Sequence, residues 1–172
     1  MMSAPLLETE RLRLRAHRLA DHAPMTVMSA DPVVVRHLGG KPFSAEESWA
    51  RMLRFPGLWG LLGYGYWAIE EKAGDRYIGH IGYADFKRDI TPSLDGMPEL
   101  GWVLASEAHG QGYATEALKA VLAWGDAHFG EHRATCIISP DNVASIRLAT
   151  RVGFRLWAEA IYHDHAVNIL IR

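Results

Sequence analysis

The stretch from Glu99 to Glu116, E-L-G-W-V-L-A-S-E-A-H-G-Q-G-Y-A-T-E, holds the residues whose order points to chemistry. A short apolar run reads as a strand, a turn with two glycines follows, and the turn opens straight into a helical pattern. The first backbone N–H groups of a helix have no partner within it. They lie at the positive end of the helix dipole and together form an anion seat. Gly110 and Gly112 remove side chains that would hold a phosphate away from the main chain. Gln111, Gly112, Tyr113 and Ala114 are therefore expected to offer amides to a pyrophosphate. Two known phosphate motifs do not fit. A P-loop needs a lysine after its second glycine, where Tyr113 stands. A dinucleotide fingerprint needs a third glycine where Thr115 stands. A plain strand–helix turn, with glycines serving only tightness, is the competing reading.

The elements that must position this turn follow from periodicity. Arg11–Arg15 alternates with period two, which predicts a half-buried strand with leucines inward and arginines outward. Residues 19–31 and 44–54 read as helices, the second opened by Ser44 and Glu47 at capping-box spacing. Tyr66–Glu70 and Arg76–Phe86 read as a hairpin across the turn at 72–75. Residues 87–98 form a loop, and Glu99–Leu104 a strand. Gly112–Phe129 is the clearest helix, with Ala114, Ala117, Leu118, Val121 and Leu122 on one face. Ala134–Ser139 is a strand, Asn142–Val152 a helix capped by Asp141 or Asn142, and Phe154–Tyr162 and Ala166–Arg172 two final strands. Seven strands mixed with helices predict an α/β or α+β sheet domain.

Composition narrows the function. The 172 residues suit one domain with a proper core. A net charge of -2 excludes the strong basic excess of a nucleic-acid binder. Cys136, the one cysteine, allows no internal disulfide. Charges at Glu8, Glu10 and Arg11 interrupt any signal-peptide core, and the apolar stretch 55–69 is broken by Pro56 and four glycines. These features predict a cytoplasmic protein without a membrane partner.

His109-Gly110-Gln111-Gly112-Tyr113-Ala114 resembles motif A of the GNAT N-acetyltransferases, [Q/R]-x-x-G-x-[G/A], and Thr115–Leu118 resembles the helix start that follows it. Asn142-Val143-Ala144-Ser145 followed by Gly153-Phe154 is similar to a downstream segment of the same family. The opening Thr9–Arg15 and the run Ile78–Gly82 resemble the branch that includes ribosomal-protein N-terminal acetyltransferases. The likeness runs in order through nearly the whole chain. It implies a mixed, mostly antiparallel sheet, split into a V by a bulge between its fourth and fifth strands, at 99–104 and 134–139. Acetyl-CoA would enter that split as co-substrate, with no metal. Its pantetheine arm would pair with the backbone of Trp102, Val103 and Leu104, and its pyrophosphate would rest on the amides of 111–114, within a cofactor-binding turn from His109 to Thr115. Asn142 or Ser145 would hold the pantetheine or thiol end. His109 departs from the family pattern, and Ala149 stands where many members carry a tyrosine acid.

An attacking amine must first lose a proton. Glu99, at the start of the strand bordering the split, is the first candidate base, and Asp85 the second. A backbone N–H of Val103 or Leu104 would stabilise the oxyanion. Ser145 is a candidate acid for the thiolate. Lys119, Arg147 and Arg151 could reach the 3′-phosphate of the cofactor. The acceptor would be a small-molecule or peptide amine, and members of that branch dimerise, which makes a homodimer an expectation. A non-catalytic acyl-CoA sensor and a nucleotide-binding domain are the alternative functions. His128 with His132, and His163-Asp164-His165, have metal-like spacing, but Gly130 breaks the first pair and a turn holds the second. Cys136 reads as an inert core thiol. Trp49, Trp59, Tyr64, Tyr66 and Trp67 read as core plus a wall of the acceptor pocket.

Overall fold

The computed structural model describes residues 3–130 and 133–172. The strands are β1 (Leu7–Glu8), β2 (Leu12–Arg15), β3 (Tyr66–Glu71), β4 (Arg76–Ala84), β5 (Glu99–Leu104), β6 (Thr135–Ile138), β7 (Arg155–Tyr162) and β8 (His165–Ile171). The helices are α1 (His22–Ala30), α2 (Pro32–Val35), α3 (Ala45–Leu62), α4 (Tyr113–Phe129) and α5 (Val143–Arg151). Among the described residues the strands form one eight-stranded sheet in the order β1-β2-β3-β4-β5-β6-β8-β7. Every pairing is antiparallel except β5 with β6.

Successive side chains of a strand face opposite sides of the sheet. Trp67 and Ile69 of β3, with Ile81 and Tyr83 of β4, pack into a cluster with Leu118 and Val121 of α4. Tyr66 and Ala84, on the other face, join Met25 of α1 and Met52 and Phe55 of α3. The sheet is thus covered on both faces, and all six residues of β3 are buried.

β1 is an eighth strand beyond the seven expected, and three further elements differ from the sequence expectation. α3 runs on to Leu62, past Pro56, where the capping-box segment was expected to stop at 54. Met52, Phe55 and Trp59 are buried at helical spacing, and Trp59 Nε1 donates to the Tyr66 carbonyl at 3.0 Å. That packing outweighs one missing hydrogen bond at proline. β4 ends at Ala84, because Asp85 Oδ1 accepts from the Lys87 N–H at 3.0 Å and turns the chain. Asp31 ends α1 as expected but then caps α2, accepting from the Val33 N–H at 2.8 Å.

A further difference concerns Arg15, which was expected to face solvent. It is buried instead, donating to Asp21 at 2.8 and 2.9 Å and to Glu70 at 2.5 Å. Burial alone would push both carboxyls up. The Arg15 bonds, with the Arg18 N–H on Asp21 and Arg13 on Glu70, hold both below their ordinary values. A lowered folded-state pKa contributes stability that is complete above the ordinary carboxyl range and is lost as pH falls through the lowered values. Stability should therefore decline below about pH 4. Arg15→Met, which strands two buried carboxylates, should cost about 3 kcal/mol at neutral pH and remove most of that acid-side decline. Denaturant unfolding across this range measures both.

Candidate functional site: a split sheet with two joined hollows

β5 sits at the seam. Its ladder with β4 is regular, from Glu99↔Ala84 to Leu104↔Gly79, whereas its register with β6 is the single pair Glu99↔Thr135. The Thr135 N–H donates to the Pro98 carbonyl at 2.9 Å, and beyond that point the strands diverge. The split thus falls between the expected strands. It arises by divergence: the register shifts among described residues lie at Ile69/Glu70 and Leu156/Ala158, away from β5.

Alternation decides which backbone groups face the opening. The Ala105 N–H donates to the Ile78 carbonyl at 2.9 Å, so Ala105 turns its polar groups toward β4. Val103, two residues earlier and opposite His80, does the same. Trp102 and Leu104 turn theirs into the split. Of the two expected oxyanion donors, Leu104 has the right direction and Val103 does not. The Leu104 carbonyl is already taken by His109 Nε2 at 3.0 Å, which ties the turn back onto the strand.

Gly112 (φ +81°) caps α4 with a left-handed backbone, and Gly110 (φ +73°) shares that conformation. The Gly112 carbonyl accepts the Glu116 N–H at 3.1 Å, so the amides of Tyr113, Ala114 and Thr115 lie before the first helical bond. The turn is held from outside. Arg11 Nη1 donates to the Gln111 carbonyl at 2.9 Å, and Glu116 accepts from Thr9 Oγ1, the Arg11 N–H and Arg11 Nε at 2.6–2.8 Å. The Tyr113 hydroxyl donates to Glu71 at 2.5 Å. These bonds give Thr9 and Arg11 one shared task with Glu116, more than 100 residues away in sequence.

Two hollows meet at the split. One, of about 540 Å³, is lined by Trp102, Val103, Leu104, His109, Gly110, Gly112, Tyr113, Ala114, Thr115, Asn142 and Ser145, with Val33, Val34 and Arg151 on its rim. The other, of about 450 Å³, is lined by Arg51, Arg54, Phe55, Tyr66, His80, Arg88 and Glu99. Trp102, Val103, Asn142 and Ser145 line both.

The first hollow joins main-chain donors of a strand edge to those of a helix start. A GNAT acetyltransferase domain model matches residues 11–155. The chain belongs to the GNAT acetyltransferase family. Among its relatives, the N-acetyltransferase p20 of Bacillus licheniformis is 27% identical, over 92% of this chain and 86% of its own. An acetyltransferase structure from Agrobacterium tumefaciens superimposes with a TM-score of 0.84 at 28% identity, covering 100% of this chain and 96% of that one. The RimL ribosomal L7/L12 alpha-N-protein acetyltransferase in complex with coenzyme A shares the fold, with a TM-score of 0.76 at 19% identity over 98% and 97% of the two chains.

Within this GNAT fold the expected site residues separate. All of the expected cofactor residues except Gln111 line the first hollow. Gln111 Nε2 instead donates to the Glu107 carbonyl at 2.6 Å. Asn142 Oδ1 caps α5 by accepting the Ser145 N–H at 3.2 Å. Of the three residues expected near the 3′-phosphate, Arg151 lines the hollow, while Lys119 and Arg147 do not. Glu99 lies on the second hollow and is only 7% exposed. Both its oxygens accept from Arg88, at 2.6 and 2.7 Å. Burial works against the Arg88 charge, but this pair more than offsets it and raises its pKa. Asp85 pairs with Lys87 at 2.7 Å and lines neither of the two joined hollows.

Sequence reasoning did not find Arg51, Arg54, His80 or Arg88. The first two follow from the unexpected length of α3, which puts 51, 54, 55 and 58 on one stripe facing the hollow. His80 Nδ1 lies 2.9 Å from the Tyr77 hydroxyl, and burial pushes its pKa well down, so the ring stays neutral. Cys136 is buried, and burial pushes its thiol up, as an unreactive core thiol requires. Of the expected aromatic set, Tyr66 lines the second hollow and Trp59 and Trp67 meet edge to face in the core, while Trp49 is exposed. His132 lies outside the described residues. His163 and Asp164 form the turn between β7 and β8, both with positive φ. Among the described residues no group of three metal-ligating side chains assembles, and no helix is long and apolar enough to cross a membrane.

Proposed function

We propose that the protein transfers the acetyl group of acetyl-CoA to a primary amine by direct attack within a ternary complex. The observation that carries this reading is the continuity of the two hollows at Trp102, Asn142 and Ser145. A donor in one and an amine in the other would meet at that shared wall, which converts a bimolecular encounter into a positioned one.

The residues fit an elongated thioester carrier. The amides of 113–115 receive its diphosphate at a helix start, and the backbone of Trp102 pairs with its amide-bearing arm. Acetyl-CoA supplies a carbonyl activated by a thiolate leaving group. Leu104 N–H, aimed into the split, receives the negative charge that grows on the carbonyl oxygen as the amine nitrogen adds. Glu99 is the only carboxylate lining the acceptor hollow among the described residues, and it accepts the proton that the amine releases, directly or through water. Ser145 stands where the hollows join and offers a proton to the departing thiolate, a task for which Ala149 has no polar group. The products are an amide, the free thiol of coenzyme A and one proton.

The test pairs calorimetry with thiol detection. Saturable binding of coenzyme A and thiol release that depends on an added amine are the expected results. Binding without any amine-dependent thiol would favour the sensor reading, and absence of coenzyme A binding would remove both.

A further inference from the structure

The acceptor hollow is electrically one-sided. Three guanidinium groups line it, those of Arg51, Arg54 and Arg88, against the single carboxylate of Glu99, which leaves two positive charges without a counterion. The Glu99 charge is matched by Arg88, which donates to both of its oxygens. Arg51 and Arg54 have no ion-pair partner among the described residues. Glu47, one turn before Arg51, is committed to the start of α3, where it accepts the Ser44 N–H at 2.7 Å. The Arg51 guanidinium rests on the Phe43 ring at 4.1 Å, which fixes its plane and leaves its edge free. Burial and the adjacent Arg54 charge lower the Arg51 pKa, as expected of a cation lacking a counterion. Phe55, Leu58 and Phe86 supply apolar wall beside these charges.

We propose that the acceptor is a small α-amino acid with an apolar side chain, its carboxylate seated on Arg51 and Arg54 while its amino group faces the split. This rests on the acetyl-transfer reading above and narrows its acceptor. A carboxylate neutralises the excess charge and accepts planar, charge-assisted bonds from guanidinium edges. A polyamine or another polycation would add charge to a wall that is already positive. The hollow of about 450 Å³ holds a single amino acid with room for water.

The test compares L-phenylalanine and L-leucine with their carboxamides and with spermidine, by amine-dependent thiol release. The amides are the intrinsically better nucleophiles near neutral pH, because less of their amine is protonated. A preference for the acids of about tenfold or more in kcat/KM therefore reports recognition of the carboxylate. In Arg51→Gln and in Arg54→Gln that acid-to-amide ratio should fall toward one, and Arg51→Lys should restore part of it. Preferred turnover of spermidine, of an amide or of an uncharged peptide overturns the proposal.

A second measurement separates it from the transfer reading. Calorimetry on protein saturated with coenzyme A compares N-acetyl-L-phenylalanine with its amide. If the acid binds at least about tenfold tighter, and Arg51→Gln abolishes the difference, the carboxylate seat stands even where no turnover is seen. Equal binding of the two overturns it whatever the turnover.

Discussion

Gly112→Val should weaken coenzyme A binding on the order of a hundredfold while the protein still folds. Gly112 holds φ +81° at the start of α4, and a side chain there is strained wherever its atoms go. For an L-residue the left-handed conformation costs roughly 1–2 kcal/mol, and a β-branched residue tolerates it least. The added Cβ would also come within 3.4 Å of an Arg11 guanidinium nitrogen. The turn then either keeps its shape under strain or relaxes to negative φ and swings the amides of 113 and 114 off their common target. Losing one or two bonds to a charged group, each about 1.5–3 kcal/mol, gives the stated loss of affinity. Stability should drop only by the strain, about 1–2 kcal/mol, because the turn sits on the surface and α4 keeps its buried face. Calorimetric titration and thermal unfolding of one preparation read both effects. Unchanged affinity would mean that the glycines serve tightness alone.

Glu99→Gln should reduce kcat by about 10²–10⁴ if this carboxylate takes the proton from the amine. The substitution keeps the shape and still accepts one bond from Arg88, so the fold should survive. The Arg88 pairing makes an alternative role concrete: Glu99 serves only to neutralise a guanidinium at the floor of the hollow. The two roles differ in their dependence on the nucleophile. A weakly basic amine that is already unprotonated at the assay pH needs no base, so the penalty in Glu99→Gln should shrink for it. A purely electrostatic role predicts the same penalty for every amine. Steady-state rates with two amines of different basicity, in both proteins, separate these outcomes.

The strand–turn–helix unit was legible because each of its signals is local. The strand at 99–104 was placed to the residue, and α4 begins one residue after the expected start because Gly112 serves as its cap. The fold class was likewise readable from the order of elements, whereas the position of the split followed only from the resemblance to the family. What the sequence hid was mostly tertiary. Pro56 and Gly57 look like a stop signal, yet burial of Phe55 and Trp59 carries α3 through them. The short β1 has no periodicity to reveal it, and α2 is a single turn. Arg15 reads as a solvent-facing member of an alternating strand until the distant Glu70 is brought beside it. Arg88 and Glu99 are eleven residues apart across an irregular loop, a separation that no local pattern encodes. The direction of the Leu104 N–H depends on which neighbour β5 ladders with, and that is a property of the sheet.

The shared wall at Trp102, Asn142 and Ser145 divides the labour of the molecule. On one side recognition is written in main-chain atoms, which nearly any sequence can supply once the turn has its shape. On the other it falls to side chains, Arg51, Arg54, Phe55 and Leu58 on one stripe of α3 beside Tyr66, His80, Arg88 and Glu99 from the sheet and a loop. Substrate choice in this scaffold is therefore open to redesign by exchanging a few helix residues, with the donor machinery left as it stands.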